Sequence, residues 1–231
     1  MNKSIRAIFL LFAALAFGTA AMAQDSTANW DNQLYLGNKV GFGSGRMKYS
    51  LEIQGRFRDN MQQMDNLFTE FVASYLWSSS IEIVPDLRFT VKPTKLELRP
   101  GFGILYKHLQ AKKLQFVNQV KYQFDWASAG ENGHAFREVI FLNKKANDKV
   151  IVTLVAGFIY RWWPSWNGFQ YVRMGPGLTY KFNSDAALNF SYFVGVENRR
   201  GDWLWAGIPV IQFVVNIANT YKYTPAYYFS F

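Results

Sequence analysis

Few residues in this chain are of types that do chemistry, and their spacing does not assemble a site. There are two histidines, His108 and His134, and no cysteine. A lipid hydrolase needs a serine nucleophile with a histidine base beside it, and a short His-x-Ser motif would supply both. Two residues after His134 stands Phe136, so that motif is absent. No run of His, Asp and Glu has metal-ligand spacing, and zinc would find no thiolates. Gly41-x-Gly43-x-Gly45 precedes a strand pattern instead of a helix, so it is no nucleotide fingerprint. The sequence therefore names no catalytic residue and no cofactor.

The charged residues are more informative, because many recur at every second position. Lys48, Glu52 and Arg56 share one parity, as do Glu82, Asp86 and Arg88, then Glu97 and Arg99, then Lys121 and Asp125. Both signs return at similar depths along successive segments. Inside a closed wall such charges would pair across neighbouring strands, since a lone buried charge is costly. That makes them a structural network filling a narrow lumen. The sharper alternative is a selectivity ladder in a small aqueous pore.

These charges are positioned by segments with period two. In Arg46–Arg58, the odd positions Met47, Tyr49, Leu51, Ile53 and Phe57 carry no charge, while the even positions are polar throughout. A helix would scatter both sets around its axis, whereas a strand separates them. Similar alternation runs through Ile81–Lys92, Lys95–Tyr106, Leu114–Trp126, Arg173–Phe182 and Leu188–Glu197. Weaker segments are Trp30–Val40, Leu67–Trp77 (with Glu70 on a mixed face), Phe136–Asn143 and the apolar Val150–Trp162. Trp203–Val215 and Thr220–Phe231 complete about twelve segments. Turns are expected at Gly41–Gly45, Ser78–Ser80, the basic stretch Lys107–Lys113 and Pro164–Gly168, with polar loops at Asp59–Asp65 and Ala127–Gly133. Pro85, Pro100, Pro176 and Pro209 fall inside strands, where a missing N–H predicts bulges or breaks.

The ends of the chain decide which face is buried. Lys3 and Arg6, the apolar run Ala7–Phe17, and small residues at Ala21 and Ala23 form a secretory signal, with residues 1–23 removed before Gln24. The run is too short for a spanning helix. Removing 23 of 231 residues leaves 208, and losing Lys3 and Arg6 lowers the formal charge from +9 to +7. Tyr227, Phe229 and Phe231 alternate to a terminal aromatic, which looks like the sorting signal that outer-membrane barrels present to their assembly machinery. Aromatic residues make up 18% of the chain. Trp77, Tyr106, Trp126, Trp162, Trp203 and Trp205 stand near segment ends, as in the girdles of a membrane barrel. A near-neutral mean hydropathy of −0.09 fits such a barrel, since only alternate residues meet lipid.

The expectation is an all-β, transmembrane, antiparallel up-and-down barrel of about 10–12 strands over residues 24–231, in the cell outer membrane. Its partners would be outer-membrane lipids and lipopolysaccharide, the latter facing Lys39, Arg46, Lys107, Lys112, Lys113, Lys144, Lys145, Lys149 and Lys181 at one set of turns. A merely solvated rim explains those residues equally. The basic residues do not interleave with aromatics as a nucleic-acid module would require.

Three stretches resemble a group of exported bacterial outer-membrane barrels known only as a domain of unknown function. They are Glu52-Ile53-Gln54-Gly55-Arg56, Glu97-Leu98-Arg99-Pro100, and Arg173-Met174-Gly175-Pro176-Gly177-Leu178-Thr179-Tyr180. The likeness covers about Trp30 to Ile217, lacks an Asn before Arg173, and implies the barrel fold without an activity. Three roles follow: a small channel or structural barrel; a lipid-modifying enzyme; or, with the same pattern turned inside out, a soluble periplasmic barrel around an apolar ligand.

Overall fold

The computed structural model describes residues 29–111, 114–199 and 201–221. Residues 1–23 with Ala21 and Ala23, the pair Lys112 and Lys113, and the terminal Tyr227, Phe229 and Phe231 lie outside the described residues. The strands are β1 (Trp30–Asn32), β2 (Leu34–Gly45), β3 (Met47–Arg58), β4 (Gln63–Leu76), β5 (Ile81–Lys92) and β6 (Lys95–Ala111). They continue with β7 (Leu114–Ala127), β8 (Gly133–Lys145), β9 (Val150–Trp163), β10 (Trp166–Lys181), β11 (Ala186–Arg199) and β12 (Asp202–Tyr221). All belong to one sheet in sequence order, antiparallel from β2 to β12.

The sheet closes on itself. β12 pairs in parallel with both β1 (Trp30↔Trp205) and β2 (Tyr35↔Val210). β1 and β2 are therefore two pieces of one stave, joined through Gln33, whose N–H donates to the Gly207 carbonyl at 2.9 Å. Among the described residues this gives eleven staves. Asn29 and Tyr221 consequently sit at opposite ends of the barrel. One end carries the β3–β4, β5–β6, β7–β8 and β9–β10 turns, and is called here the Asp59 end. The other, the Ser78 end, carries the β2–β3, β4–β5, β8–β9 and β10–β11 turns. A 14-residue strand is about 46 Å long, and about 33 Å when tilted by roughly 45°, enough to cross a bilayer core.

Burial follows the alternation. In β5 the pattern runs Glu82, Val84, Asp86, Arg88, Thr90 inward and Leu87, Phe89, Val91 outward. Buried polar and charged side chains outnumber buried apolar ones, while the exposed surface holds large apolar residues from every stave but β11. That distribution is the inverse of a soluble core and is the surface expected of a barrel facing lipid. The six girdle aromatics are all exposed, Trp77 most of all at 64%. At the Asp59 end His134 stacks among Tyr122, Phe124 and Trp162.

Several sequence expectations need correction. Gly41–Ser44 is strand and no turn: Gly41 opposes Ser50, and a Cβ there would come within 2.8 Å of Asn216 Oδ1. Only Gly45, at φ +59°, makes the hairpin. The basic stretch begins as strand, because β6 runs to Ala111 and carries Lys107 inside and His108 outside. The two expected C-terminal strands begin as one, β12, which absorbs a register shift between Ile217 and Asn219 instead of turning. Lys39 and Lys107 leave the rim and lie in the lumen, each against a buried glutamate.

The strand prolines are accommodated by one-sided gaps. Pro85 keeps its partner Phe102 on β6 while the β4–β5 ladder skips from Asp86 to Ile83. Pro100 pairs with Leu87 while the β6–β7 ladder skips from Leu98 to Gly101. Pro176 pairs with Leu154 while the β10–β11 ladder skips from Met174 to Gly177. Pro209 pairs with Tyr192 and faces the β1–β2 break on its other side. Each ladder is interrupted where the missing N–H would have been needed.

Candidate functional site

The lumen has two unlike walls. Across β8–β12 its middle is apolar, with Val139, Phe141, Val155, Ile159, Phe193, Ile208 and Val210 buried in one cluster that also takes in Tyr35, Val84, Leu105 and Val117 from the other wall. Across β2–β7 it is charged. One register row reads Lys39, Glu52, Glu70, Arg88, Arg99 on successive strands. Like charges stand directly opposite twice, at Glu52↔Glu70 and Arg88↔Arg99, an arrangement that is unfavourable alone. Each member is compensated on its other side. Lys39 reaches Glu52 at 3.3 Å, Arg88 reaches Glu70 at 3.1 Å, and Arg99 Nε donates to Asp125.

A second layer lies toward the Ser78 end. The Lys121 ammonium, 3% exposed, bridges Glu70 at 3.3 Å and Asp86 at 2.5 Å. Gly101 makes room for it, since a Cβ there would lie 2.8 Å from Asp86 Oδ1 and overlap Lys121. Deeper still, Lys107 pairs with Glu82. Glu97 takes Lys92 and Lys95, each at 2.9 Å, and Arg99 at 3.5 Å. Of the charges singled out in the sequence, Lys48 and Arg56 are half-buried on the same inward face as the rest. Arg56 makes no ion pair among the described residues: its Nε donates to Gln54 at 2.8 Å.

Sequence reasoning missed Arg137, Arg161, Arg173 and Glu197. Arg137 and Arg161 point into the lumen among apolar inward neighbours such as Val139 and Ile159, so their strands lack the polar–apolar contrast that exposed the others. Arg173 and Glu197 stand at the ends of alternating segments, legible as polar positions but not tied to the charge ladder. Arg161 pairs with Asp125 and Arg173 with Glu197.

These arginines complete a cavity of about 270 Å³ at the Asp59 end. Seven arginines and Lys92 line it, against Asp65, Glu97 and Glu197. Aromatic faces support the guanidinium groups. Arg56 lies 4.3 Å over Tyr35 and 5.0 Å over Phe68, Arg88 lies 4.0 Å over Phe68, and Arg173 lies 4.1 Å over Tyr171. The Tyr35 hydroxyl accepts from Arg173 at 3.2 Å and donates to Gln33 at 2.9 Å. Such stacking holds each planar fork in place without neutralising it.

Both histidines face outward: His108 stacks on Tyr106, and His134 belongs to the girdle. Among the described residues no group of three or more His, Cys, Asp or Glu is placed to hold a metal. The outer wall carries, among the described residues, one carboxylate away from its two rims, Glu138, which accepts from Asn118 at 2.9 Å. It stands four residues from His134 and six from Lys144, well inside the apolar belt. Beside it Ile140, Ala156, Phe158, Met174 and Trp205 line an apolar groove.

No protein-family model matches the chain, and no curated protein matches it. Among solved structures it is similar to a NanC porin (TM-score 0.48, 9% identity, 74% of this chain and 89% of that one). A KdgM porin aligns with TM-score 0.46 and 12% identity over 75% of this chain and 94% of that one. A KdgM porin in complex with disordered oligogalacturonate aligns with TM-score 0.45 and 15% identity over 76% and 93%.

Proposed function

We propose that the protein is a non-enzymatic, porin-like barrel of the outer membrane that admits small polar solutes at its Asp59 end. The observation that carries this reading is a cavity lined by fixed charges, enclosed by a wall whose outer face is apolar. Fixed charges at close quarters are how narrow pores sort solutes. Past the cavity, the Lys121–Glu70–Asp86 bridge narrows the path. The same bridge favours a second reading, a structural barrel closed at that level.

Purified protein in a planar bilayer decides between them. Discrete conductance steps support the channel, and a silent membrane at high protein load overturns it. Residence in the outer membrane is tested by fractionation and by migration on gels with and without boiling; recovery in the soluble periplasm would sink it. Export by residues 1–23, assembly through Tyr227, Phe229 and Phe231, and contact of the exposed Arg46, Lys144, Lys145 and Lys149 with lipopolysaccharide phosphates belong to the same proposal. So does kinship with the group of barrels of unknown function, supported by the three sequence stretches alone.

A further inference from the structure

We infer that the cavity at the Asp59 end is a binding site for a small organic carboxylate, centred on Arg56. This rests on the reading that the Asp59 end is open to solutes. Three guanidinium groups gather around two rings there: Arg56 and Arg173 over Tyr35, at 4.3 and 5.8 Å, and Arg56 and Arg88 over Phe68, at 5.0 and 4.0 Å. Glu70 compensates Arg88, and Glu197 compensates Arg173. Among the described residues Arg56 has no carboxylate, and its Nη2 is enclosed without a hydrogen-bond partner.

Charge counting agrees. The lining holds eight cationic side chains and three carboxylates. Including Glu70 and Asp125, which pair with lining arginines from just behind, the carboxylates number five and three positive charges remain in excess. Enclosed N–H groups of this kind are normally satisfied. A stacked, immobile guanidinium matches a carboxylate as a two-pronged fork and loses little freedom on binding it. The cavity, about 270 Å³, has room for a small molecule such as a four-carbon dicarboxylate.

The test uses the full chain refolded in detergent, with calorimetric titration of succinate, inorganic phosphate and the neutral analogue succinamide at constant ionic strength. Succinate is expected to bind, and succinamide is not. Arg56→Gln should weaken succinate at least about tenfold, the worth of one lost charged hydrogen bond. Arg56→Lys keeps the charge but loses the fork, and should weaken it severalfold. Arg46→Gln at the far rim should change nothing. Each variant is first checked for folding by heat-modifiable gel migration. If Arg56→Gln does not fold, Arg56→Lys carries the test. Equal heats for succinate and succinamide, binding of phosphate but not succinate, or wild-type affinity in the folded Arg56 variants would each overturn the site. Binding without conductance leaves the site standing while the channel falls. Conductance without binding does the reverse.

Discussion

Replacing Lys121 by Met tests whether the middle of the lumen is dry. Lys121 and Asp86 are 3% and 2% exposed, and Lys121 is the ion-pair partner the structure gives Asp86. Glu70 would keep Arg88 at 3.1 Å, so the stranded charge is that of Asp86. Removing one partner of a buried pair costs about 3–5 kcal/mol, because the other is left uncompensated in low dielectric. Asp86→Leu should cost a similar amount. The double replacement Lys121→Met with Asp86→Leu restores an uncharged contact and should return to within about 1 kcal/mol of the wild type, a coupling of at least about 2 kcal/mol. The assay is denaturant unfolding in lipid vesicles, followed by tryptophan fluorescence, for the four members of the cycle. If both single variants lie within about 1 kcal/mol of the wild type, the pair behaves like an exposed one. Water then reaches it, and the reasoning that the lumen is sealed by its own charges is wrong.

Gly101→Ala should cost roughly 1–3 kcal/mol by overpacking the same bridge, measured in the same unfolding assay. Glu138→Leu should stabilise the barrel by about 1–2 kcal/mol in vesicles, since a carboxylate on the lipid face is unfavourable though less so than a lysine or arginine. No gain would mean that something other than acyl chains covers that wall. Arg99→Glu reverses a charge that contacts both Glu97 and Asp125. In a conducting barrel it should shift the reversal potential in a salt gradient toward cation preference. Unchanged selectivity would make the row a structural one.

The legible part of the fold was the part with contrast. In β3 every inward residue is polar and every outward one is not, so period two could be read from its twelve letters, and the two ends of the chain then indicated which face is buried. β5 and β6 were legible for the same reason. In β8 and β9 the inward face is largely apolar, so both faces look alike and the arginines at 137 and 161 read as scattered charges or segment ends, while Arg173 opens an alternating stretch of β10 without a charged neighbour on its face to mark it. The vestibule stayed hidden because it combines those three with Arg56, Arg88 and Arg99 from the legible half, through a closure that no local pattern encodes. Lys107 illustrates a different loss. Four cationic or histidine letters in seven suggested a turn, but strand geometry sends alternate ones to opposite sides, and Lys107 went to Glu82.

The parallel seam between β12 and the β1–β2 stave fixes the sidedness of the polypeptide. With an odd number of staves, the inlet and the outlet of the described chain open on different sides of the bilayer. A cysteine at Asn29 and another at Tyr221 would therefore react with a membrane-impermeant reagent from opposite compartments. In whole cells, the one that reacts names the side from which a solute first meets the ring of arginines, because Asn29 shares its end.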